Sequence, residues 1–156
     1  MIFRLIVSKT IDIRISYLIT FLFPFVFIGC STVKTSEKYG AEIDVVDNVR
    51  SRVLIEKFNA YDKNKSFLIF TSEFKNVITV KNGDSLVINK KAETASMLGF
   101  TTACIIFNNK DVIIIIDNKK EIKLNEVQLP KYKFIYVGKD KNHYTIEYTN
   151  HAKSFL

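Results

Sequence analysis

Tryptophan is absent from this chain, proline and cysteine occur twice each, histidine twice and glycine five times. Each scarcity excludes something. Without Trp there is no indole platform of the kind that commonly flanks the paired acid and base of a glycosidase. The two histidines, His143 and His151, stand eight apart with no third, which is not zinc spacing. Gly83, Gly99 and Gly138 stand alone, so no phosphate-cradling loop and no Gly-x-Ser-x-Gly nucleophile elbow is present. Cys30 and Cys104 allow one disulfide at most, and none if Cys30 is consumed by other chemistry; a disulfide framework is therefore excluded. Scarce proline leaves extended segments unbroken. Together with 13 Phe, 7 Tyr and abundant Ile and Val, it favours strands over helices. A length of 156 residues suits one domain rather than two.

What is present begins with an address. Arg4, Lys9 and Arg14, against the single acid Asp12, precede the uncharged run "ISYLITFLFPFVFI" at 15–28. Its fourteen residues would span about 21 Å as a helix, short of the ~30 Å hydrocarbon core. Pro24 disfavours a straight helix there. A basic start, a short apolar centre and a small residue ahead of a cut site make a secretory signal. The run ends Phe27-Ile28-Gly29-Cys30, which resembles the lipobox of bacterial lipoproteins. Gly29 and Cys30 match that motif, and Phe27 takes the place of its usual Leu. The resemblance covers residues 1–30. It implies that the Cys30 thiol receives a diacylglyceryl group, that the signal 1–29 is removed, and that the new amino terminus is acylated. Two or more acyl chains hold a protein firmly to a bilayer where one does not. In the same family Ser31 is permissive for transfer to the outer membrane, and "STVKTSEK" lacks the acidic cluster that accompanies surface export. The expected location is thus the periplasmic side of the outer membrane. An uncleaved anchor over 15–33, held at the inner membrane, is the alternative, and it too leaves the rest of the chain outside the cytoplasm.

Residues 30–41 are expected to form the lipidated cysteine and a flexible tether, since "STVKTSEKYGA" is polar and unpatterned. Residues 42–156 then show alternation with strong turn signals. Candidate strands are "IDVVD" (43–47), "RVLIEKF" (52–58), "SFLIFT" (66–71), "VITVK" (77–81), "SLVINK" (85–90), "FTTACIIF" (100–107), "VIIIID" (112–117), "EIKLNE" (121–126), "KYKFIYV" (131–137) and "HYTIEYT" (143–149). Asn82-Gly83, "NNKD" and "GKDKN" are expected hairpin connections. In the last strand Tyr144, Ile146 and Tyr148 are expected to point inward. The fold expected is all-β, an antiparallel β-sandwich of about nine short strands in an immunoglobulin-like or jelly-roll layout, with a small β-barrel as the alternative. "VIIIID" is apolar on both faces and requires cover on its second one.

No catalytic set, metal cluster or cofactor motif emerges from the residues. Cys104 sits between Ala103 and Ile105 and is expected to act as a small core hydrophobe. Glu42, Asp44 and Asp47 cluster early, the two aspartates being the conceivable calcium ligands. The chain carries a net +7; three bases and one acid precede Cys30, which leaves +5. The late lysines, Lys119, Lys120, Lys123, Lys131, Lys133, Lys139 and Lys141, suit acidic glycans or anionic headgroups, or form a solvated face. The expected function is that of a non-enzymatic, lipid-anchored binding or structural module of the cell envelope, an accessory protein of an envelope complex. Its partners would be the membrane and an envelope protein or acidic glycan, with no nucleic acid. An envelope hydrolase, or a carrier holding an apolar ligand inside a barrel, are the alternatives.

Overall fold

The computed structural model describes residues 33–42 and 44–154; the expected signal, lipobox and lipidation site at Cys30 lie outside them. Among the described residues nine strands form two stacked sheets, and these close no barrel. In chain order they are β1 (Lys34–Tyr39), β2 (Lys65–Thr71), β3 (Lys75–Asn82), β4 (Ser85–Glu93), β5 (Phe100–Phe107), β6 (Val112–Ile116), β7 (Lys120–Lys123), β8 (Phe134–Asp140) and β9 (His143–Thr149). A helix, α1 (Val49–Lys57), precedes β2. The five-stranded sheet has the order β1-β9-β8-β2-β5 and the four-stranded sheet β4-β3-β6-β7. The expected sandwich is what forms. Its larger sheet is mixed, because β1 runs parallel to β9 and β2 parallel to β8.

The core lies between the sheets. Leu68, Phe70, Ile106, Ile135, Val137, Tyr144, Ile146 and Tyr148 from one sheet meet Ile78, Val80, Ile88, Val112, Ile114, Ile116 and Ile122 from the other. None of these is more than 8 % exposed, and full burial of each such side chain is worth about 1.5–3 kcal/mol. Tyr144, Ile146 and Tyr148 do point inward, alternating with half-buried Thr145 and Glu147. The second face of β6 is half-buried at Ile113 and Ile115, whose cross-strand neighbours include Lys123 and Glu121.

Four local expectations are corrected. Residues 34–39 are not a free tether but the edge strand β1, in register with β9 from Lys34↔His143 to Tyr39↔Tyr148. Tyr39 explains the capture, since its ring stacks on Tyr148 at 5.1 Å and on Tyr132 at 6.4 Å. "RVLIEKF" is helical. The Asn48 side chain accepts the Ser51 N–H at 2.8 Å and caps the first turn. Buried Ser51 and half-buried Leu54 and Ile55 then recur at helical rather than strand spacing. Residues 44–48 make no strand. Finally, β5 and β6 are not a hairpin but lie in different sheets. Buried Asn82 holds that corner: its Oδ1 accepts the Phe107 N–H at 2.6 Å, and its Nδ2 donates to the carbonyls of Phe107 at 3.0 Å and Asp111 at 3.2 Å. The Asn82-Gly83 hairpin forms as expected, with Gly83 at φ +57° where a side chain would be strained.

Candidate functional site

Buried side chains pack between the sheets, and an apolar opening lies outside the sandwich. The outer face of the five-stranded sheet presents Phe67, Ile69, Phe134 and Tyr136. Helix α1 is laid across it through Leu54 and Ile55, with Val45, Ala60 and Ala152 at its margins. The helix does not reach the far edge of β5. Between them runs a groove of about 500 Å³, walled by Val49, Val53, Leu54 and Phe58 on one side and by Phe100, Ala103 and Ile105 on the other.

Two features set this groove apart from ordinary surface. Its rim is apolar well above the floor: Val49, Val53 and Phe58 are 68 %, 53 % and 50 % exposed. Contiguous apolar surface rimmed by polar side chains is a common feature of binding sites. Its charged lining is of one sign, supplied by Arg50, Lys57 and Lys153, with no acid among the lining residues. Lys153 donates to Glu147 Oε2 at 2.5 Å and lies over the Tyr136 ring at 5.0 Å, which fixes its ammonium at the groove's end. Lys57 lies over Phe58 at 5.8 Å.

The residues singled out by sequence do not assemble. Cys104, paired in register with Leu68 and half-buried against the inter-sheet core, also lines the groove between Ala103 and Ile105. Burial pushes its thiol up to about 12, against the opposing pull of Lys90. His143 and His151 stand at opposite ends of β9; His143 Nε2 meets Ser36 Oγ at 2.9 Å, and His151 is exposed. Asp47 pairs with Arg52 at 3.0 Å, Glu42 pairs with Lys131 at 2.8 Å, and Asp44 is exposed. Among the described residues no three His, Cys, Asp or Glu side chains gather as a metal site would need.

The late lysines divide between the two ends of the sandwich rather than forming one patch. Lys123 pairs with Glu126 at 2.5 Å and Asp111 at 3.7 Å. Lys133 is buried and donates to the carbonyls of Asp62 at 2.9 Å and Lys65 at 2.8 Å, while burial lowers its pKa. These two, with Lys131, lie at one end. Lys119, Lys120, Lys139 and Lys141 lie at the other, beside the β6–β7 and β8–β9 turns.

Sequence reasoning missed the groove because it took α1 for a strand. The signal that could have found it is Asn48 followed by apolar residues at 54, 55 and 58, a capped helix stripe. No helix among the described residues is long and apolar enough to cross a membrane. No protein-family model, no curated protein and no solved structure matches this chain.

Proposed function

We propose that this protein is a binding module of the cell envelope, anchored through an acylated Cys30 on the periplasmic side of the outer membrane, and that its partner is an envelope protein presenting an acidic, apolar segment to the groove between α1 and β5. The observation that carries the reading is the combination in that groove of an exposed apolar wall with cations alone on its rim. An acidic segment complements Arg50 and Lys57, and charge of this kind speeds encounter and selects partners. A protein partner is favoured over a small amphiphile because Val49, Val53 and Phe58 extend the apolar surface beyond the groove itself. A ligand seated only in the groove would leave them wet. A hydrolase would require convergent acids in a cleft, and this lining contains none.

The test is a photo-crosslinking residue at position 53 of the full chain, activated in native membranes. Position 53 is exposed, so the substitution leaves the fold intact. We expect a defined protein adduct that disappears with Ala103→Glu, on the facing wall, and persists with Leu86→Glu, an exposed position in β4 of the other sheet. An adduct with lipid alone would favour the apolar-ligand carrier. A protein adduct indifferent to Ala103→Glu would remove the groove as the site.

A further inference from the structure

The strand β1 changes what the anchor can do. Only residues 31–33 separate Cys30 from Lys34, where β1 begins. Four peptide steps reach at most about 14 Å, whereas a tether running to residue 41 would reach roughly three times as far. One end of the sandwich is therefore held close to whatever surface holds Cys30.

The topology decides which end that is. Lys34 pairs with His143, so β1 starts beside the β8–β9 turn. Parallel pairing of β2 with β8 and antiparallel pairing of β2 with β5 bring the end of β2 and the start of β5 to the same place. The connections β2–β3, β4–β5, β6–β7 and β8–β9 all lie there. Hydrogen bonds across the two sheets tie them together. Lys139 Nζ donates to Asn76 Oδ1 at 2.8 Å and to the Glu73 carbonyl at 3.2 Å, and Lys120 Nζ donates to Asn142 Oδ1 at 3.1 Å.

Two further properties belong to this end. It carries Lys34, Lys75, Lys119, Lys120, Lys139 and Lys141 over the acids Glu73, Glu93, Asp117 and Asp140. Among the described residues Lys75 there pairs with Glu93 at 3.3 Å, whereas Lys123 and Lys131 at the opposite end are each neutralised by carboxylates. It also bears an apolar tip. The β4–β5 connection turns tightly, with the Gly99 N–H donating to the Ala95 carbonyl at 2.8 Å and Gly99 at φ +62°, a geometry that glycine adopts without strain. The turn holds Met97 at 89 % and Leu98 at 48 % exposure.

We infer that this end of the sandwich is a membrane-docking face: Met97 and Leu98 enter the headgroup region of a bilayer containing anionic phospholipid, the surrounding lysines engage its phosphates, and β1 holds the face against it. Each lysine near such a surface strengthens the attraction, which is attenuated beyond a Debye length. The inference rests on the anchored reading for its tether and on the lysines and Met97 independently of it. Docking end-on leaves the groove of α1 and β5 on the flank of the domain, open to the periplasm.

The experiment uses the full chain with an environment-sensitive fluorophore on Met97→Cys, compared with the same label on Asp84→Cys in the β3–β4 turn at the opposite end. Vesicles of phosphatidylethanolamine with phosphatidylglycerol are set against phosphatidylcholine alone. We expect a blue shift and quenching by lipid-borne quenchers at position 97 only, reversed by added salt and lost in Lys119→Glu/Lys141→Glu. A label at 97 that stays in water, or shielding at 84 instead, overturns the face. Shielding of 97 in native membranes but not in these vesicles assigns the face to a protein and also overturns it. The mass of the same sample reports whether Cys30 is acylated, so the two failures separate. A bare Cys30 with a shielded 97 removes the anchor and keeps the face; an acylated Cys30 with a wet 97 does the reverse; a bare Cys30 with a wet 97 removes both.

Discussion

At the scale of single residues, the chemistry of this protein is mostly put to structural use. Cys104 is a thiol, not a thiolate, at neutral pH, because burial pushes its pKa up to about 12 and the nearby Lys90 offsets only part of that. Alkylation of native protein at neutral pH should therefore be slow at Cys104 and become fast on adding denaturant; rapid labelling without denaturant would show that β5 opens at that point. Asn82 has the larger energetic role. Its amide satisfies three backbone groups at the corner where the chain passes from β5 to β6. Replacing it with Ala leaves those groups without partners in a site that is 2 % exposed at residue 82. We expect a loss of about 2–3 kcal/mol in urea unfolding, and an unchanged midpoint would mean that water substitutes for the amide.

At the scale of elements, β1 is the strand whose pairing has most consequence and least burial. Five of its six residues are exposed, so backbone pairing with β9 and the Tyr39 stack on Tyr148 and Tyr132 hold it. Tyr132 adds a hydrogen bond from its hydroxyl to the Gly40 carbonyl at 2.8 Å just beyond the strand. Removing the ring with Tyr39→Ala should release β1 without unfolding the sandwich. The measurement is limited trypsin digestion, where cleavage after Lys38 should accelerate severalfold while the thermal midpoint moves little. Global melting in step with cleavage would make β1 part of the cooperative core. Helix α1 is the other peripheral element. It covers Phe67 and Ile69 while leaving Val49 and Val53 in solvent, and that partial cover creates the groove.

At the scale of the whole molecule, the distribution of buried tyrosines sets the alkaline limit. Burial raises the pKa of Tyr136, Tyr144 and Tyr148 above the ordinary value of 10.0, with Glu147, Asp117 and Glu37 respectively adding to the effect. A group whose folded pKa is raised contributes stability that is whole below its unfolded pKa and is lost as pH rises toward the folded one. Unfolded chains shed these protons near pH 10, so stability should fall above about pH 10. Buried Lys133 works in the opposite sense, because its lowered pKa means that stability rises as the unfolded chain, rather than the folded one, holds the proton. Three tyrosines outweigh one lysine, and the net expectation is loss. A pH titration should show tyrosinate absorbance appearing together with collapse of the circular-dichroism signal. Ionisation of these tyrosines well before the fold is lost would contradict their burial.

Much of this architecture is legible in the residues. β5 and β9 occupy the segments expected, and β2, β3, β4 and β6 differ from expectation only at their ends, because alternation and the Asn82-Gly83 turn are local signals that tertiary contacts reinforce. The residues missed were those whose state depends on distant partners. Lys34–Tyr39 is polar and unpatterned, and becomes a strand only because β9 and two tyrosines from far along the chain lie beside it. "NNKD" reads locally as a hairpin, yet the Asn82 amide redirects it between sheets. The groove as a whole could not be read in advance, since its walls come from residues 49–58, 100–105 and 153–154; only its helical wall carries a local signal, the Asn48 cap. Sequence alone determined the class of fold and most of the strand segments from β2 onward, which depend on neighbours one or two residues away. Only the tertiary structure decided strand order, the division of the lysines between the two ends and the place of the apolar groove, because each depends on long-range pairing that no local pattern encodes.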